Sequence, residues 1–115
     1  MQLKINGQLY SVSEEKSGLT ESISRLSPCS PVLSRSAGHE YYGTLQEPAD
    51  VTGARKTSHV EASGIYYFQA WNAFSLNFKD MDIEPYQVHV IGKADASLAE
   101  VLASCGKSVE VDILR

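Results

Sequence analysis

Alternation of apolar and polar positions marks the end of the chain most clearly: in SVEVDIL, Val109, Val111 and Ile113 share one face and Glu110 and Asp112 the other. A period of two is the signature of a strand with one buried side. At the other end LKI and QLYSV flank Asn6-Gly7, a pair that tolerates the positive φ of a type I′ turn, so the chain opens with a β-hairpin. In SLNFK, Phe74, Leu76 and Phe78 face one way while Ser75, Asn77 and Lys79 face the other. YQVHVIGK reads as a strand with Val88 and Val90 inward and His89 outward. IYYFQA is a further strand, and Pro31 to Leu45 is extended apart from a bulge or turn at Ala37-Gly38.

Two segments carry a helical period instead. Leu19, Ile23 and Leu26 recur at i, i+4 and i+7 before Pro28 and Pro31 forbid continuation. Near the C-terminus Ser97-x-x-Glu100 has the form of a capping box, followed by Leu98, Val101, Leu102 and Cys105 as a buried stripe and Gly106 as the stop. Gln46 to His59 lacks apolar periodicity, and a loop of that length in a small domain is often a lid or a binding loop. Together the pattern gives a mainly β protein of about eight mostly hairpin-linked strands and two short helices, arranged as a closed or nearly closed antiparallel barrel.

The 115 residues have room for one domain, 1–115, with one core. No stretch reaches the ~18 consecutive apolar residues of a membrane span, and MQLKINGQLY lacks the basic and apolar regions of a secretion signal. A cytoplasmic protein without a membrane partner is expected. Cys29 and Cys105 lack metal-type spacing and read as small, buried or half-buried residues, with a Cys29–Cys105 disulfide as the less favoured alternative. The net charge of −4 and a sole adjacent basic pair, Arg55-Lys56, argue against a nucleic-acid partner. Neither Gly-rich phosphate motif occurs, and no cofactor is expected.

Candidate chemistry centres on aromatic residues. Six of the ten aromatics lie between Gly64 and Asp80. On a strand the pairs Tyr41-Tyr42 and Tyr66-Tyr67 can each send one ring inward and one outward, and if the outer rings converge with Trp71 and Asn72 they make a wall with an amide to orient a polar group; the alternative is that both pairs are barrel core and Trp71 caps one end. Glu40, Tyr41, Tyr66, Trp71 and Asn72 are the candidate binding residues, with the Gln46–His59 loop as a possible lid. His39 beside Glu40 is the most enzyme-like pair, yet strand neighbours point to opposite faces, which favours a solvent-facing histidine and a hydrogen-bonded glutamate. Asp80, Asp82 and Glu84 read as a solvated acidic turn, and His39, His59 and His89 lack metal-ligand spacing, so no metal site is expected.

LKINGQLY, HEYYGTL, GIYYFQAWNAFSLNF, PYQVHVIGK and ASLAEVLASCGKSVEVDIL together resemble the small prokaryotic cyclophilin-like domain family, over nearly the whole chain. The resemblance implies an eight-stranded cyclophilin-like barrel with helices closing its ends. It departs from the family at His39 and Ile65, where relatives commonly carry acids. Prolyl isomerases of this fold depend on an arginine in an F-H-R-type strand, and none stands near His39-Glu40-Tyr41-Tyr42; only Arg35 or Arg55 has a path to a groove. Non-catalytic binding of a small molecule or an extended peptide is therefore the leading expectation. A weak prolyl isomerase or another enzyme using His39 and Glu40, and a protein–protein interaction or assembly module, are the alternatives.

Overall fold

The computed structural model describes all 115 residues. Its strands are β1 (Gln2–Ile5), β2 (Gln8–Glu14), β3 (Val32–Ser36), β4 (Glu40–Thr44), β5 (Lys56–Thr57), β6 (His59–Val60), β7 (Gly64–Phe68), β8 (Ala73–Asn77), β9 (Met81–Asp82), β10 (Val88–Ala94) and β11 (Ser108–Leu114). Eight of them run in the order β2-β1-β11-β3-β4-β8-β7-β10, and β10 pairs back onto β2 to close an antiparallel barrel. β5 adds to β10, while β6 and β9 form a separate two-stranded ribbon. Closure removes the exposed sheet edges that an open sheet of this size would leave.

The opening hairpin turns at Asn6 (φ 51°) and Gly7 (φ 81°), the left-handed pair its sequence requires. Ala37 (φ 54°) and Gly38 (φ 72°) turn β3 into β4. Helix α1 (Gly18–Leu26) is held by a capping box in which Ser17 Oγ accepts from the Thr20 N–H and Thr20 Oγ1 accepts from the Ser17 N–H. Its Leu19 and Ile23 are fully buried in the barrel core. Helix α2 (Ala96–Ser104) starts two residues earlier than its sequence suggests: Asp95, not Ser97, is the N-cap, and its carboxylate accepts from the Ser97 N–H at 2.9 Å. Leu98, Ala99 and Leu102 are its buried residues, whereas Val101 and Cys105 are half-buried.

The barrel interior holds Leu3, Ile5, Leu33, Tyr41, Tyr67, Phe74, Leu76, Val111 and Ile113, among others, in one continuous cluster. A second, smaller cluster of Val60, Tyr66, Val88 and Val90 lies on the outer face of the β7–β10 wall, beneath the β6–β9 ribbon. This outer layer reverses the expectation for β10. Val90 is paired with Tyr66 on the outer face, and His89 is paired with Tyr67, whose ring belongs to the core. His89 is thus buried rather than solvent-facing, and its Nδ1 has no protein partner. Alternation alone distinguishes two faces but not which is the interior, because the ribbon makes the outer face apolar as well.

The same ribbon explains why Ser75 and Asn77, expected on a solvated face, are 3% and 1% exposed. The Gln46–His59 segment is pinned instead across α1: Gly18 N–H donates to Thr52 O at 2.8 Å and Asp50 N–H to Ser22 Oγ at 3.0 Å. Cys29 and Cys105 are free, half-buried thiols. No helix is long and apolar enough to cross a membrane.

Candidate functional site

A groove of about 460 Å3 runs between the β6–β9 ribbon and the outer face of β4, β8 and β7. Its floor follows from strand parity. Glu40 pairs with Asn77, Tyr42 with Ser75, and Phe68 with Ala73, so all six share the outer face. Tyr42, Phe68, Trp71 and Tyr86 form its aromatic side, Met81 and Ile83 come from the ribbon and the turn after it, and His39, Glu40 and Asn77 make the polar end.

The aromatic end is a linked set of rings. The 3-10 turn Gln69–Trp71 carries the chain from β7 to β8 and presents Trp71 at 62% exposure. Trp71 meets Phe68 edge-on at 5.0 Å between centroids and Tyr42 at 5.8 Å, and Phe68 meets Tyr86 edge-on at 6.2 Å. Tyr86, 63% exposed, extends the wall to the groove's opposite rim. So large an aromatic area left open to solvent is unusual where nothing packs on it.

At the polar end His39 Nε2 stands 3.3 Å from Glu40 Oε2, and His39 Nδ1 stands 3.3 Å from the Ala37 carbonyl. A carbonyl accepts only, so Nδ1 carries the hydrogen in that contact and Nε2 is the ring nitrogen turned toward the Glu40 carboxyl group. Burial raises the Glu40 pKa above the ordinary carboxylate range, and the nearby His39 opposes that shift in part. Next to this pair, Asn77 has both carboxamide atoms buried and neither has a protein partner. A buried amide without partners costs on the order of 1–3 kcal/mol, so an unpaired group of that kind calls for an explanation.

The five expected binding residues divide. Glu40 and Trp71 line the groove. Tyr41 is fully buried in the barrel, where its Oη donates to the Gly106 carbonyl at 2.6 Å; Tyr42, two residues from Glu40 and so on its face, takes the place expected for Tyr41. Tyr66 points outward but lies beneath the ribbon, its Oη accepting from the Glu61 N–H at 2.9 Å. Asn72 works behind the wall: its Oδ1 accepts from Tyr67 Oη at 2.6 Å and its Nδ2 donates to the Leu45 carbonyl at 3.0 Å. Asn72 adopts φ 48°, a left-handed backbone, and so sets the turn that displays Trp71.

His39 and Glu40 share the groove, contrary to the expectation from strand alternation, because His39 belongs to the turn before β4 rather than to the strand. The Gln46–His59 loop does not roof the groove; the segment from Met81 to Tyr86 borders it. Neither arginine with a path to a groove enters this one. Arg35 Nη1 donates to Tyr41 Oη and to the carbonyls of Ala103 and Cys105 at 3.0–3.3 Å, with its guanidinium 4.5 Å above the Phe78 ring. Arg55 makes a two-pronged pair with Glu15 at 2.8 and 3.1 Å. Of the acidic turn, Asp82 accepts from His59 at 2.7 Å and Asp80 from the Ala62 N–H at 2.8 Å. No three His, Cys, Asp or Glu side chains converge as metal ligands. Asn77, Phe68, Met81, Ile83 and Tyr86 were not singled out from the sequence; the parity of Glu40 and Tyr42 pointed to the face, but nothing local showed that β9 would fold over it.

A family model described as the cyclophilin-like family matches residues 3–114. No curated protein matches the chain. Among solved structures, the solution structure of the hypothetical protein AF2241 from Archaeoglobus fulgidus superposes with a TM-score of 0.71 at 19% identity, covering 99% of this chain and 92% of that one. At that identity the likeness speaks to the fold.

Proposed function

The chain belongs to the cyclophilin-like family, and from that premise we propose that it is a binding module that takes a small molecule or an extended peptide segment into the β4–β8–β7 groove without catalysing its turnover. One observation carries the proposal: Tyr42, Phe68, Trp71 and Tyr86 form a continuous aromatic wall beside a polar end, with Trp71 and Tyr86 more than half exposed. Apolar grooves with a few convergent polar groups are the usual form of a ligand site. The prolyl-isomerase alternative has less support, since Arg35 and Arg55 are both engaged elsewhere.

The test is an amide and indole NMR spectrum of labelled protein with a fragment library and with a short Xaa-Pro peptide, including exchange spectroscopy. Shifts confined to Trp71, Tyr42 and Ala73, without cis–trans exchange peaks, are expected. Shifts elsewhere, or none, overturn the assignment of the groove, and exchange peaks lost on E40Q overturn the non-catalytic part.

A second reading rests on the contact between His39 Nε2 and Glu40 Oε2 at 3.3 Å. A carboxyl group with a raised pKa beside an imidazole can donate or accept a proton at a ligand bound next to it. That reading requires a bound compound to be converted at a rate that falls in both H39A and E40Q.

A further inference from the structure

We infer that the groove's ligand is a small, uncharged, planar compound that presents a hydrogen-bond donor and acceptor side by side, as a primary amide or a lactam does, and that Asn77 reads this edge. The inference rests on the groove reading above and adds the chemical class of its occupant.

Asn77 is 1% exposed, lies on the groove floor, and has neither its Oδ1 nor its Nδ2 paired with protein. A carboxamide with both atoms free is satisfied in full by a partner whose acceptor faces Nδ2 and whose donor faces Oδ1. A primary amide or a lactam has both groups on one edge. A trans peptide bond places its N–H and C=O on opposite sides, and an Xaa-Pro bond has no N–H, so a peptide backbone leaves half of the Asn77 amide unpaired.

Charge narrows the class further. Glu40, Asp82 and Glu84 line the groove and no Lys or Arg does. A carboxylate ligand would approach three acids and offer acceptors alone to Asn77, leaving Oδ1 without a donor. The planar body is set by the rings of Phe68, Trp71 and Tyr42, which offer faces and edges for stacking. Because the Asn77 amide atoms are shut off from bulk solvent, a ligand reaches them only when a neighbouring side chain moves aside, and we assign that movement to Glu40, the cross-strand neighbour, whose side chain is 26% exposed.

Three probes built on the same ring separate the possibilities: nicotinamide, nicotinic acid, which matches it in size, and pyridine, which lacks the substituent, titrated at neutral pH and followed by the Trp71 indole and Ala73 amide resonances. Nicotinamide is expected to bind at least tenfold more tightly than either of the others, and N77L to remove that preference while still binding pyridine. N77D, nearly the same in shape, should also lose it, which guards against a packing defect in N77L. If all three probes bind alike in the wild-type protein, the amide-edge inference is overturned and the aromatic groove stands; if none shifts the groove resonances, both are overturned.

Discussion

Asn77 and Glu40 face each other across β8 and β4, one with an amide that no protein group satisfies and the other with a carboxyl group whose pKa is raised by burial. Their pairing places an unpartnered amide and a largely buried carboxyl group side by side at one end of the groove. A fold selected for stability alone would put apolar residues there.

Glu40 sets a pH dependence. Its folded pKa lies above its unfolded value, near 4.3, so its contribution to stability is fully present below that value and is lost as pH rises through the folded pKa. E40Q keeps the neutral form at every pH. Thermal melts should show E40Q at or above the wild-type midpoint at pH 7, with the difference vanishing near the unfolded pKa; a deficit at pH 7 would refute this.

His59 sets another, of the usual sign for a histidine gaining a partner. The hydrogen bond with Asp82 raises its pKa above the ordinary value near 6.5, with Asp80 and Glu61 adding to it. The stabilisation of the β6–β9 ribbon is therefore complete below that ordinary value and fades as pH climbs through the folded pKa. A proton NMR titration of the His59 ring should give a midpoint above that of a free histidine, and D82N should bring it back down.

Trp71 is exposed enough that its loss should leave the fold intact. W71A should change stability by less than about 1 kcal/mol, as surface substitutions generally do, while weakening a groove ligand by about tenfold through loss of roughly 1–1.5 kcal/mol of aromatic contact. Denaturant melts and a nicotinamide titration read the two effects separately.

Tyr67 supports that wall from inside the barrel. Its Oη donates to Asn72 and accepts from the Ala49 N–H at 3.2 Å. Y67F strands both partners in a buried setting and should cost about 1–3 kcal/mol in urea unfolding. It should also broaden the Trp71 indole resonance, because Asn72 then loses the bond that fixes the turn before β8.

Gly92 is where β10 closes onto β2. A Cβ there would collide with the Ser13 carbonyl oxygen and come within 3.1 Å of the Glu14 Cα. G92A should cost on the order of 4 kcal/mol or more, since backbone on the facing strand cannot yield as a side chain can. Hydrogen exchange should lose protection first along the β2–β10 seam.

Much of this architecture is legible in the chain's local pattern. Asn6-Gly7 needs a left-handed turn whatever surrounds it, and Val109, Val111 and Ile113 sit in the core because their alternation has one apolar face and one charged face. The tyrosine pairs do split between the two faces, as their adjacency demands. These features depend on backbone sterics and on contacts between near neighbours, so they can be read from a few residues at a time. The side of the wall to which a pattern belongs cannot. Val88 and Val90 are apolar on the outer face because Val60, brought from β6, and Met81, from β9, pack over them. Asn77 is buried for the same reason, and His39 meets Glu40 because a left-handed turn at Ala37 and Gly38 precedes β4 and keeps the histidine off the strand. Local pattern decided the long strands, the opening hairpin and the two helices; contacts across long sequence separations decided the closure of β10 onto β2, the short strands β5, β6 and β9, and the fold-back of the ribbon that made one outer face of the barrel a groove.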